Sequence, residues 1–151
     1  MKSLNFIFLS LFFLLVCSEV AFTVPTCDAP PKTTAEAKEC AEMLITSKTD
    51  VLYEYAETKG HLGNIEVCTS TSNRKSYFTD NYADFGTMAA ANVRDCAESN
   101  QDSDAFQCWI QDGPPACYIR KGSTGELSTV ACMRLGKSSG KLITLFPYEC
   151  D

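Results

Sequence analysis

The cysteines limit what this chain can fold into more than anything else in it. There are nine, and an odd set leaves one without a partner. Cys17 stands apart, inside the opening stretch MKSLNFIFLSLFFLLVCSEVAFTVPTC. There Lys2 is the only charge before Glu19, and Leu4 to Val16 is almost wholly apolar. One positive charge, a short apolar run and then small residues make the pattern of a secretory signal peptide. The run is 13 residues long, whereas a bilayer span needs about 20. The expectation is a signal peptide over 1–21, cleaved between 18 and 23, followed by a single secreted disulfide-rich domain over 22–151. No later segment is apolar enough to span a membrane.

With Cys17 removed, Cys27, Cys40, Cys68, Cys96, Cys108, Cys117, Cys132 and Cys150 remain. An even set in a chain sent to an oxidising compartment is a disulfide framework. Structural zinc needs ligands close in sequence, typically C-x-x-C, to surround one ion. Here the closest pair is Cys108 and Cys117, and His61 is the sole histidine, so no metal or cofactor is expected. A paired sulfur has no thiolate, which removes cysteine nucleophiles as well. Each bridge contributes about 2–4 kcal/mol, against about 5–15 kcal/mol for a whole domain. Eight cysteines allow about 105 pairings, so the connectivity stays open. The favoured bridge is Cys108 to Cys117, set opposite each other if Asp112-Gly113 form a two-residue turn between FQCWIQ and ACYIRK. The rival joins either one to Cys40 or Cys96, stapling sheet to helix.

Net charge is −6, which argues against nucleic acid or an anionic membrane as partner. Residues 79–112 hold seven acids against Arg94 alone, while from Tyr118 onward five bases outnumber three acids. A solvated surface accounts for this polarity. No N-x-S/T sequon occurs, so N-glycosylation is not expected.

Along the chain, VPTCDAPPK is a proline-rich lead-in. Thr33 and Glu36 make a capping box, and Ala37, Cys40, Ala41 and Leu44 recur at helical spacing. This predicts a helix over 34–48, extending towards Glu57 and ended by Gly60. Strands are expected near 64–70 and 75–79. A second helix is expected from Asp84, with Phe85, Met88, Val93 and Cys96 on one stripe, stopping before Ser99. From Phe106 the pattern alternates. FQCWIQ, ACYIRK, ELSTVACMR and KLITLFPYEC are separated by glycine turns and read as an antiparallel meander. The fold class is therefore α+β, with two helices in the N-terminal half packed on an antiparallel meander sheet and stapled by disulfides.

Few residues offer chemistry. Glu54, Glu57 and His61 could share a helix face, and two carboxylates with an imidazole are acid–base material. There is no second histidine and no G-x-S-x-G elbow. A small secreted hydrolase using these three residues is the alternative function. Ala131 to Ser138 fits a relaxed phosphate-loop pattern, but its first half reads as strand and no helix follows. Glu98, Asn100, Asp102 and Asp104 alternate like the start of a calcium loop. Counted from Asn100, Ala105 falls where an EF-hand needs glycine, and Gln111 where it needs glutamate. Trp109, Tyr118 and Tyr148 read as completing the core, with an exposed binding patch as the other option.

The tail PPACYIRKGSTGELSTVACMR…FPYECD resembles the end of a divergent C-type-lectin-like domain. That resemblance implies Cys40, in the first helix, as partner of Cys150, with Cys117 and Cys132 the intermediate cysteines. Trp109-Ile110 is followed by Gln111 where the family has glycine, and no E-P-N or Q-P-D motif occurs. Sugar binding is thus not implied. With no catalytic constellation assembled, the leading expectation is a secreted, non-catalytic, monomeric protein that binds an unknown extracellular protein.

Overall fold

The computed structural model describes residues 22–70, 72 and 75–151. The signal-peptide expectation falls mainly on 1–21, outside the described residues. Among the described residues no helix is long and apolar enough to cross a membrane.

Helix α1 spans Thr34–Ser47 and α2 spans Thr49–Thr58. Thr33 caps α1 as expected, its Oγ1 accepting the Glu36 N–H at 3.1 Å. The reciprocal bond slips by one residue, because the Glu36 carboxylate takes the N–H of Lys32 at 2.6 Å. The predicted helix breaks at Lys48, whose ψ of 29° starts a new axis. Gly60, at φ +71°, turns the chain away after α2.

Strands β1 (Leu62–Gly63), β2 (Tyr77–Thr79), β5 (Ala116–Tyr118) and β6 (Glu126–Ser128) form a small sheet in the order β1-β2-β5-β6. Strands β3 (Asn92–Glu98), β4 (Ala105–Gln111), β7 (Ala131–Gly136) and β8 (Leu142–Phe146) form the larger one, β3-β4-β7-β8, wholly antiparallel. This is the expected α+β arrangement, with helices in the N-terminal half and four disulfides, except that the meander is divided between two sheets. The prolines explain the division. Pro114 and Pro115 have no N–H to give a ladder, and Asp112 sits at φ +56°. The chain therefore leaves β4 without turning back on it, runs β5 and β6 in the small sheet, and re-enters the large sheet as β7. ELSTVACMR is accordingly two strands, broken at Thr129 and Val130.

Two further expectations are corrected. Residues 65–70 are a 3-10 helix and not a strand. The second long helix does not form. Helix α3 is one turn, Tyr82–Phe85, capped by Asn81 instead of Asp84, then a 3-10 turn Gly86–Ala90 and strand β3. The helical stripe was imitated by a β-bulge. The register shifts between Val93 and Asp95, so Val93 faces Ile110 and Cys96 faces Cys108. Two residues three apart thus reach one face, a spacing normally read as helix.

The main core lies between α1, α2 and the large sheet, where Ala41, Leu44 and Leu52 meet Phe106, Met133 and Leu145. A second cluster of Cys68, Tyr77, Cys117 and Ile119 belongs to the small sheet. The bridges are Cys27–Cys40, Cys68–Cys117, Cys96–Cys108 and Cys132–Cys150. The favoured Cys108–Cys117 bridge is therefore absent, because the two cysteines lie in different sheets. The rival was right that Cys108 joins Cys96, but Cys96 stands on a strand directly opposite, with Cα atoms 4.1 Å apart. The lectin-like pairing of Cys40 with Cys150 is also overturned: each is bridged to another cysteine nearby in sequence.

Candidate functional site

Strand alternation gives the large sheet two unlike faces. Phe106, Ile110, Met133 and Leu135 face the helices. Gln107, Trp109, Cys132, Arg134, Thr144 and Phe146 take the opposite face, since Gln107 pairs with Arg134, Arg134 with Thr144, and Cys132 with Phe146. Residues 147–151 fold back over this second face. They are held by the Cys132–Cys150 disulfide, by Gln107 Nε2 donating to the Asp151 main-chain oxygen at 2.9 Å, by Gln101 Nε2 donating to Asp151 Oδ2 at 2.8 Å, and by Tyr148 stacking on Tyr118.

Between this returning segment and the sheet lies a cleft of about 200 Å³. Arg134 and Thr144 come from the strands, Glu149 and Asp151 from the returning segment, and Phe146 from the end of β8. His61 enters from the loop after α2. Its Nδ1 lies 3.2 Å from the Leu145 carbonyl. A carbonyl only accepts, so Nδ1 carries the proton, and in the neutral ring Nε2 keeps its lone pair. Tyr55 does similar work one step along, its hydroxyl donating to Ile143 O at 2.6 Å. Burial pushes the Tyr55 phenol up, so it holds the proton it donates. These two side chains satisfy outward carbonyls of the edge strand β8. From the lead-in, the Pro25 carbonyl accepts the Leu142 N–H of the same strand at 2.8 Å.

Three side-chain atoms on this face are sealed from solvent and have no partner among the described residues: Arg134 Nε, Thr144 Oγ1 and Gln107 Oε1. Buried polar groups in folded proteins are nearly always paired, with protein or with water, so three together single this face out. A larger hollow of about 420 Å³ lies between residues 28–32 and the start of α1. It lacks this feature, and its Glu36 carboxylate is already engaged by the Lys32 N–H.

The residues singled out earlier divide accordingly. His61 lines the cleft, but Glu54 and Glu57 stay exposed on α2 and do not. Asp102 and Asp104 are used locally: Asp102 Oδ1 accepts the Asp104 N–H at 2.9 Å, and Asp104 Oδ1 accepts from Ser138 at 2.6 Å. Among the described residues no three His, Cys, Asp or Glu side chains are grouped to hold a metal. The 131–138 segment is strand and turn, with no helix to receive phosphate. Trp109, Tyr118 and Tyr148 enter neither core cluster. Trp109 lies under the Arg94 guanidinium, 5.4 Å from its ring centre, and Tyr118 and Tyr148 stack with ring centres 3.6 Å apart.

Arg134, Thr144, Glu149 and Asp151 were missed as site residues. Two signals were available: a charged residue between Met133 and Leu135 in a buried strand, and two carboxylates flanking Cys150. No family model matches the chain, and no curated protein or solved structure matches it.

Proposed function

We propose that this protein is secreted and acts outside the cell by binding another protein, with no catalytic step, and that the cleft over the large sheet is where it binds. Four disulfides and an even set of cysteines after residue 21 support the extracellular assignment. The observation that carries the binding reading is a cleft walled by the returning segment and lined by Arg134 and Thr144, each with a sealed side-chain atom that has no partner among the described residues. A ligand that opens the cleft far enough to reach these atoms gains hydrogen bonds without breaking existing ones.

The hydrolase reading keeps one supporting observation. His61, its Nδ1 turned to the Leu145 carbonyl, lines the same cleft as Glu149 and Asp151. Its original carboxylates, Glu54 and Glu57, stand outside that cleft.

Expressing the full chain in eukaryotic cells and assaying the medium tests secretion. Screening the purified protein against displayed extracellular proteins tests binding. The expected result is a partner whose capture weakens in Phe146→Ala and Glu149→Gln. Turnover of ester, peptide or glycoside substrates that disappears in His61→Ala, with no protein partner found, would replace the binding reading by the enzymatic one.

A further inference from the structure

The cleft holds a cation without a counter-ion. Arg134 forms none of the ion pairs or hydrogen bonds found among the described residues, and its Nε is sealed off. The Thr144 hydroxyl, directly opposite in the β7–β8 register, is sealed and unpaired as well. A guanidinium drawn partly out of water with nothing to bind is costly, and its forked donors suit a carboxylate better than any neutral group. The neighbouring acids do not fill this role. The Asp151 carboxylate accepts from Gln101 and its main-chain oxygen from Gln107, and Glu149 is exposed on the returning segment and forms no ion pair with Arg134.

Two carboxylates in the lining nevertheless matter, because they would repel a simple anion. A ligand suited to both ends carries a carboxylate for the Arg134 guanidinium, whose Nη atoms are not sealed, and a positive group for Glu149. Size narrows it further. Drug-sized ligands occupy about 300–1,000 Å³, and this cleft has about 200 Å³, enough for one residue and not for a long segment. Phe146, 39% exposed beside the entrance, offers an apolar surface for an aliphatic stem.

We propose that the cleft receives a carboxylate with a cation beside it, as presented by a protein chain ending in Lys or Arg. This rests on the protein-binding reading above and names the group recognised. The same chemistry exists in free lysine, so the test separates the two sources. The full secreted protein is titrated, by calorimetry and by amide NMR shifts, with a short peptide ending in Lys as the free acid, the same peptide amidated, free L-lysine, and acetate. The free-acid peptide is expected to saturate the site, with shifts at Arg134 and Thr144. Amidation is expected to weaken it about 10- to 100-fold, the loss of one charged hydrogen-bonding group. Arg134→Gln, folded by its thermal midpoint, is expected to lose the same factor. Glu149→Gln is expected to weaken the Lys-ended peptide and to spare an Ala-ended one. Free lysine binding as tightly as the peptide supports the carboxylate site and assigns it to the amino acid. Equal binding of free-acid and amidated peptide overturns the proposal, as does no saturation by any probe at about 10 mM. A protein partner captured equally by wild type and Arg134→Gln overturns it too, while leaving the binding reading intact.

Discussion

Replacing Gly125 by alanine should destabilise the protein sharply, although its φ is open to any side chain. Gly125 precedes β6 and donates its N–H to Cys68 O at 3.0 Å. A Cβ added there would fall 2.7 Å from Cys68 Sγ, and closer still to Cys117 Sγ and Cys68 O. None of the three atoms can swing aside. Two belong to a disulfide with both cysteines fully buried, and the third is backbone. Overpacking costs about 1–3 kcal/mol, and a rigid surround places this case near 3. Losing the Gly125–Cys68 hydrogen bond adds about 1 kcal/mol. Against this, alanine restricts the unfolded chain and returns about 0.4–1 kcal/mol. The net loss is about 3 kcal/mol, or about 10 °C in Tm. Thermal unfolding of the oxidised protein followed by circular dichroism measures it. Gly86→Ala is the control, since an added Cβ there meets nothing within 4 Å and its φ of −57° is helical, so it should keep the wild-type stability or raise it by up to about 1 kcal/mol. In a Cys68→Ala/Cys117→Ala background the Gly125→Ala penalty should shrink, because two of the three clashing atoms are gone. An oxidised Gly125→Ala protein with the wild-type midpoint would refute the packing argument.

Peptide mapping without reduction should recover Cys27–Cys40, Cys68–Cys117, Cys96–Cys108 and Cys132–Cys150. Alkylation of the unfolded, unreduced secreted protein should add no mass, and two or more labelled cysteines would break the framework. Calorimetry should find no tight calcium site at Asn100, Asp102 and Asp104, because Asp102 already accepts a backbone N–H and Asp104 the Ser138 hydroxyl; a micromolar site lost in Asp102→Ala would contradict this. The Glu98 carboxyl is held below its ordinary range by its hydrogen bond to Lys137 and that residue's charge. Its folded pKa is depressed, so its contribution is present above the ordinary carboxylate range and is lost as pH falls through the folded value. Titration of the Glu98 side chain by NMR should return it to the ordinary range in Lys137→Met.

What could be read from the sequence was whatever depends on neighbours. The Thr33 cap, the helical positions of α1 and the alternation of FQCWIQ are local patterns, and each element formed where its pattern lay. What could not be read depended on which strand met which. Val93 and Cys96 imitate a helix only because a bulge sits between them, and a bulge exists only against a partner strand. The Cys108–Cys117 hairpin was a sound cross-strand argument applied to the wrong partner, and Cys96 occupies the place given to Cys117. The cleft was hidden for the same reason. Arg134 and Thr144 are ten residues apart in sequence and meet only through the β7–β8 register.

The four bridges, too, differ in what they hold. Cys96–Cys108 joins strands already paired by their ladder. Cys27–Cys40 fastens the lead-in to α1, and Cys68–Cys117 is the centre of the small core. Cys132–Cys150 instead ties down residues 147–151, which belong to no strand or helix, and so secures a wall of the cleft. It closes a span of 18 residues, for which the loop-entropy argument gives about 3 kcal/mol. Much of that entropy lies in a segment whose release leaves Met133, Leu135 and Leu145 packed under the helices. A Cys132→Ala/Cys150→Ala protein should therefore lose the cleft more completely than it loses the fold. The large-sheet amides should keep their slow hydrogen exchange, while those of 147–151 become fast. Uniform loss of protection across β4 and β7 would mean instead that this bridge, like the others, supports the core.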